Sequence, residues 1–256
     1  MKKSALKLAP IVLSMLICIS SCSWLFPQST KLSGLKDTYI EYSENRSDNS
    51  SLDSLTESRN RVLSLAEDII KSSDKTSKAY AQACLVKILV EQDFTGKSAP
   101  SLDLQEFVRL AHLEDEPSWF RASVYALLGN SLSKESKFIS AKPFYEKVLS
   151  DKSAPISVRV YALSSYVDSI VNNVKEINTL ETYLDKAEAS ARALQMEDPT
   201  NSTVELLIAE INSQIGDDAD ACAFATAAID QGLADKKQLN SAKFIQKTSC
   251  TNTDSE

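Results

Sequence analysis

Glycine is scarce in this chain of 256 residues, with only five present. No Asn-Gly or Asp-Gly pair occurs, so the commonest signal for a tight β-hairpin is missing. The scarcity also leaves few places for a backbone to wrap a phosphate. Neither a Gly-rich phosphate loop nor a Gly-x-Ser-x-Gly elbow is found, and no Cys-x-x-Cys pair. Histidine is rarer still: His112 is the only one. Metal centres and acid–base networks need several convergent ligands or a poised pair, so a lone histidine at a helix end reads as structural. These absences point away from catalysis and toward binding, with no cofactor and no metal expected. Ala, Leu, Ser, Lys and Glu dominate the rest, which predicts an all-α fold.

Charge removes a further class of partner. The chain carries 28 basic and 35 acidic side chains, for a net charge of -7. An acidic surface repels phosphate backbones and anionic lipid alike, so neither nucleic acid nor flat adsorption to a membrane is expected.

The N-terminus carries the clearest positive signal. Lys2, Lys3 and Lys7 lead into an apolar stretch from Leu8 to Ile19, interrupted by Pro10. A positive start and a short apolar run form the pattern of an export signal. The run is too short to span a bilayer comfortably as a permanent helix. It closes on Ile19-Ser20-Ser21-Cys22, which resembles the lipobox of bacterial lipoproteins. Ile19 stands in the leucine position and Ser21 is the small residue before the cysteine. The resemblance implies removal of residues 1–21, acylation of Cys22 and a mature chain held on a membrane outside the cytoplasm. Two or more acyl chains make such attachment durable, where one holds only marginally. Trp24, Leu25 and Phe26 follow, and aromatic rings suit the interface. Ser23 after the cysteine, in place of aspartate, implies sorting to the outer membrane, facing the periplasm. Losing the leader removes three lysines and leaves 25 basic against 35 acidic side chains, near -10.

Residues 22–52 read as the lipidated cysteine followed by a flexible spacer. A short helix is expected over Leu35 to Tyr42, then a loop over 43–51 with no apolar residue. From Asp53 a helical period takes over, through Leu55, Val62, Leu65, Ala66 and Ile69. Further amphipathic stretches run from Lys75 to Val90 and from Leu102 to Leu113, the latter with Ser101 as N-cap. Residues 53–119 are therefore expected to form helical hairpins.

A repeat begins at about residue 120. Tyr125, Leu128, Gly129 and Leu132 are followed by Ala141, Tyr145 and Val148. This spacing resembles the tetratricopeptide repeat, whose period is about 34 residues. Small residues at Gly129 and Ala141 let two helices approach closely, while Tyr125, Leu132 and Tyr145 fill the space around that contact. One period after Gly129 stands Leu163, with Tyr166 beyond it. Ala187, Ala191, Leu194 and Pro199 then arrive twelve residues late, which places an insertion near Ser169 to Thr179. It is expected to lengthen both helices and their joining turn. The same lengthened step reaches Ile208 and Ala209, then Gly216 at a turn, and Ala221, Ala225 and Ala228. The frame covers residues 120–235, and 236–256 reads as a capping helix with a polar tail. The resemblance implies an α-solenoid, an array of antiparallel helical hairpins.

Several residues stand outside the frame. Cys222 and Cys250 are open to two readings, a bridge that staples the tail helix to the last repeat, or two independent thiols. Cys84 reads as a small buried hydrophobe. Trp119 and Phe120 belong either to a ligand surface or to the core, and one of Tyr161 and Tyr166 is a candidate for a concave face. The acidic runs Glu114–Glu116 and Asp217–Asp220 read as turns at helix starts.

Two functions fit. One is a membrane-anchored interaction scaffold whose partner is an envelope protein or peptide. The alternative is a small-ligand carrier or transporter accessory, with a cavity lined by Tyr and Phe and partly closed by the insertion.

Overall fold

The computed structural model describes residues 27–47, 51–95, 98–233 and 235–253. The leader, the lipobox residues Ile19, Ser20 and Ser21, and Cys22 lie outside them. Among the described residues every regular element is helical: α1 (Pro27–Ser47), α2 (Leu52–Ser72), α3 (Lys78–Thr95), α4 (Ser101–Ala111), α5 (Ser118–Lys134), α6 (Phe138–Ser150), α7 (Ile156–Asn173), α8 (Ile177–Glu197), α9 (Ser202–Ile215), α10 (Asp218–Gln231) and α11 (Lys236–Thr253). A single 3-10 turn, Leu113–Asp115, follows α4. The chain divides into two compact units, residues 1–97 with 106–112 and residues 98–105 with 113–256. The division falls within α4, upstream of the expected boundary at residue 119.

In the first unit α1 packs on both α2 and α3. The short helix expected over Leu35 to Tyr42 lies within a longer one, and because residues 27–47 are one continuous helix the expectation of a flexible spacer and of a loop from residue 43 is corrected there. Leu35, Tyr39 and Tyr42 repeat at i, i+4 and i+7 and are all buried. The remaining residues of α1 are polar enough to hide this stripe in a composition reading, and packing rather than propensity stabilises the helix. Helix α2 buries Ser58, Val62, Ala66 and Ile69 along one face. Helix α3 buries Ala81 through Val86 without interruption, together with Leu89 and Val90, as a central helix must. Its Gln82 amide is satisfied by the carbonyl of Ala111 at 2.9 Å.

In the second unit each helix from α5 onward packs on the next. The odd-numbered helices also touch in order: α5 on α7, α7 on α9 and α9 on α11. Helix α5 is buried on nearly every side, including Phe120, Val124, Leu127, Leu128 and Leu132. Burying side chains of this size is worth roughly 1.5–3 kcal/mol each. The buried residues of α10 are all alanines, Ala221, Ala225 and Ala228, with Phe224 and Ile229 packed partly buried beside them. A stripe so flat lets α9 and α11 lie close to it. Cys222 of α10 is bonded to Cys250 of α11 across a Cα–Cα distance of 5.0 Å.

The stretch expected as an insertion, near Ser169 to Thr179, is helical on both sides of a turn at 174–176. From Gly129 to the start of α6 is nine residues, and from Leu163 to the start of α8 is fourteen. The connecting turn is three residues in both cases, 135–137 and 174–176, so it is not lengthened. The extra residues extend the end of α7 and the start of α8.

The α5–α6 and α9–α10 turns share one geometry. Gly216 takes a left-handed φ of 88° while the Asp217 amide donates to the Asn212 carbonyl. Ser136 takes φ 59°, and the Lys137 amide donates to the Leu132 carbonyl. Both are helix ends in which a left-handed residue closes the last turn.

Candidate functional site

Most of the residues singled out in the sequence form the packed interior. Tyr125, Leu128, Gly129, Leu132, Ala141 and Tyr145 are buried in α5 and α6. Leu163, Tyr166, Ala187 and Ala191 are buried in α7 and α8. Ile208, Ala209, Ala221, Ala225 and Ala228 are buried in α9 and α10. Pro199 and Gly216 sit on exposed turns, where the Pro199 carbonyl accepts from Gln231 at 3.3 Å. The Tyr145 ring lies 5.4 Å from that of Tyr166, which stacks on Phe138. Burial pushes the Tyr145 and Tyr166 hydroxyls well above the ordinary phenol range.

Phe120 is core, fully buried, with Trp119 edge-on to it at 5.5 Å. Cys84 is buried and burial pushes its thiol up, so the reactive thiolate is disfavoured. His112 is exposed and ends α4 with φ 50°. Ser101 is the first residue of α4, and its hydroxyl is spent as a donor to Glu135 at 2.7 Å. The Ser101 amide and Lys137 also reach Glu135, whose carboxyl falls to about 2. The Arg159 guanidinium, buried in α7, donates to both carboxylate oxygens of Glu197 at the end of α8. These groups hold helices together. Among the described residues no group of three or more His, Cys, Asp or Glu is placed to hold a metal ion.

What remains is a strip of accessible polar side chains crossing α5, α7, α9 and α11. The Asn130 amide donates to the Tyr161 hydroxyl at 3.0 Å, and Ser133 at the edge of the strip donates to the buried Ser169 at 2.6 Å. Tyr161 is 45% exposed, whereas Tyr166 is buried, so Tyr161 alone of that pair reaches the surface. Asp168 lies two helical turns beyond Tyr161, on the same stripe of α7. Glu210 of α9 accepts from Ser241 of α11 at 2.8 Å. Asp168 is open to water, yet enough protein surrounds it that desolvation raises its carboxyl. Desolvation raises Glu210 as well, and the charge of Asp168 adds to that rise.

Sequence reasoning missed Asp168 and Glu210. A signal was available for Glu210: it follows Ala209 as Asn130 follows Gly129, one residue beyond the close-packed position and turned off the buried face.

A second feature lies at the α7–α8 turn. The extended α7–α8 segment and the α5–α6 turn line a cleft of about 510 Å³, which includes Lys137, Phe138, Ile139, Lys175 and Tyr183. Ile139 and Ile177 are 71% and 69% exposed beside it. A second cleft, of about 330 Å³, contains Arg121 paired with Asp151 at 2.9 Å and Tyr125 donating to Glu114 at 2.9 Å. Its charges are already matched. Burial and the bond to Glu114 push the Tyr125 hydroxyl up to about 12.

No helix among the described residues is long and apolar enough to cross a membrane. No family model, curated protein or solved structure matches this chain.

Proposed function

We propose that this chain is a lipid-anchored interaction scaffold of the bacterial cell envelope, in which an array of helical hairpins resembling tetratricopeptide repeats holds a segment of another envelope protein. The observation that carries the reading is the ordered contact of α5, α7, α9 and α11, which leaves one accessible polar strip across four helices. Repeat arrays present such surfaces to extended segments and partner helices. Hydrogen bonds joining points one helix pair apart support the repeat frame. Ser118 donates to the Ser153 carbonyl, and Ser202 to that of Gly232.

The location rests on two independent features. Ile19-Ser20-Ser21-Cys22 provides the anchor. The Cys222–Cys250 bond suits an oxidising compartment, since cytosolic reductants keep thiols free. In the lipidated chain only Ser23 to Phe26 separate Cys22 from α1. The five residue steps from Cys22 to Pro27 reach at most about 17 Å when extended. The start of α1 would then lie close to the surface of the outer membrane, on its periplasmic side.

The test is mass spectrometry of proteins crosslinked to the tagged chain in its native membrane. A reproducible envelope partner, lost when the strip on α5, α7 and α9 is altered, is the expected result. Crosslinks to the chain alone would overturn the scaffold. They would favour a second reading, a small-ligand carrier, whose observation is the cleft beside Phe138, Ile139 and Tyr183.

A further inference from the structure

The cleft at the α7–α8 turn joins a fixed apolar floor to an accessible apolar rim. Phe138 lines it and is buried, stacked on Tyr166 at 6.3 Å and met edge-on by Tyr183 at 5.1 Å. A ring held by two neighbours is in place before anything binds, which lowers the cost of binding. Ile139 stands in the first turn of α6 and Ile177 opens α8, so the two exposed side chains come from the two helices that border the cleft. Single apolar residues on a surface are ordinary, but these flank one concavity. A protein segment laid across it covers floor and rim together, which a small molecule confined to about 510 Å³ does not.

The charges at the cleft select among such segments. Lys137, Lys175 and Glu176 are the charged residues of its lining. Lys137 is engaged by Glu135 at 2.7 Å. Glu176 accepts from the Thr179 hydroxyl at 3.1 Å and stands at the N-cap of α8, where the helix dipole stabilises a negative charge. Lys175 is exposed and makes no hydrogen bond or ion pair among the described residues. One ammonium is thus left over beside the apolar rim. The chain as a whole carries a net charge of -7, so a carboxylate is repelled over most of its surface. Beside Lys175 that repulsion is offset, which directs an acidic segment here and away from other places.

We propose that this cleft docks a short segment of the partner protein that carries an apolar side chain with an aspartate or glutamate close to it in sequence. The apolar side chain seats on Phe138 and Tyr183 between Ile139 and Ile177, and the carboxylate pairs with Lys175. This rests on the scaffold reading, adds a second surface to the polar strip and names the chemistry of the partner. Burial of the apolar side chain supplies most of the affinity, as central anchors in dry pockets do. The ion pair at the rim stays open to water, so it contributes orientation and a faster encounter more than binding strength.

The experiment is selection of random dodecapeptides, displayed on phage, by the full-length protein in lipid nanodiscs. Binding of the selected peptides is then measured to variants in the same nanodiscs. The peptides are expected to share an apolar residue with an aspartate or glutamate near it. Ile139→Ser/Ile177→Ser should weaken their binding by about tenfold or more. Lys175→Glu should weaken it by about fivefold, and exchanging the peptide's acid for lysine should restore binding to that variant alone. Three outcomes would overturn the docking site and leave the scaffold standing: peptides without the shared pair, undiminished binding to the double variant, or a Lys175→Glu variant that still prefers the acid. Failure of the parent to select any peptide would overturn the scaffold reading itself, and the site with it. Sedimentation of the detergent-solubilised protein checks for another occupant. A dimer that Ile139→Ser/Ile177→Ser disperses would assign the face to a second copy of the chain and overturn the proposal. Both isoleucines are exposed, so the variants are expected to fold, which circular dichroism and thermal melting verify.

Discussion

Gly129 of α5 faces the ring of Tyr145 in α6 so closely that a Cβ at position 129 would lie 2.9 Å from the ring carbon Cε1 and 3.1 Å from Cδ1 and Cζ. The ring cannot retreat, because Tyr145 is fully buried and packs on Tyr166. The contact sets how near α5 and α6 can come. Gly129→Ala is therefore expected to destabilise the second unit by about 1–3 kcal/mol through overpacking, and Gly129→Leu by more. Chemical denaturation measures the loss. Trimming the ring in Gly129→Ala/Tyr145→Leu should return part of it relative to the sum of the single variants, as contacting pairs are non-additive. A strictly additive cycle would mean that the ring is not what the Cβ meets.

The disulfide ties α11 to the body of the second unit across 28 residues. Closing a loop of that length restricts the unfolded chain by about 3–4 kcal/mol on the chain-entropy account. Cys222→Ser/Cys250→Ser, or treatment with reductant, is expected to lower the denaturation midpoint accordingly. Amide exchange should accelerate first in α11. Uniform acceleration across the unit would show that the bond constrains more than the final helix.

Ser136 occupies a left-handed turn position that Gly216 fills in the matching turn. The left-handed conformation costs a side chain about 1–2 kcal/mol, while a glycine gives back roughly 0.4–1 kcal/mol through the freedom of the unfolded chain. Ser136→Gly should therefore raise stability by several tenths of a kcal/mol, and Gly216→Ala should lower it. Both are read as shifts in melting temperature. A fall for Ser136→Gly would mean that the serine side chain contributes more than its backbone strain takes away.

Two kinds of carboxyl should respond to pH in opposite senses. Glu135 is held at about 2 by Lys137 and by the Ser101 amide and hydroxyl. Its contribution is present above the ordinary glutamate value, about 4.3, and is lost as the pH falls toward 2. Glu135→Gln should accordingly narrow the stability difference between pH 7 and pH 2. Asp168 and Glu210 are raised by desolvation, so the folded state is penalised when they are charged and gains as the pH falls through their folded values. Asp168→Asn should then stabilise the unliganded protein at neutral pH. A destabilised Asp168→Asn would show that the carboxylate has an attractive partner in the fold.

The lipid anchor is tested at Cys22. Cys22→Ala is expected to release the chain from the membrane fraction, since a single short apolar leader cannot substitute for acyl chains. Retention that only detergent reverses would sink the lipoprotein reading.

Much of this protein was legible before folding was considered. Helicity follows from the 3.6-residue period of Val62, Ala66 and Ile69 and from the scarcity of glycine, both properties of short stretches. The close-packed positions were legible for the same reason, because a glycine at 129 or alanines at 221, 225 and 228 mark where a helix can be approached. Helix α1 was legible only over Leu35 to Tyr42, since its flanks are polar and its buried stripe of Leu35, Tyr39 and Tyr42 needs the surfaces of α2 and α3. Nor could spacing alone show that the twelve inserted residues extend α7 and α8 while the turn between them stays at three.

A helix is built from contacts four residues apart, so local sequence determines it. The bond of Asn130 to Tyr161, that of Ser241 to Glu210 and the meeting of Cys222 with Cys250 span from 28 to 31 residues. Those depend on the turns between helices and on which faces pack. Only the tertiary structure decided them.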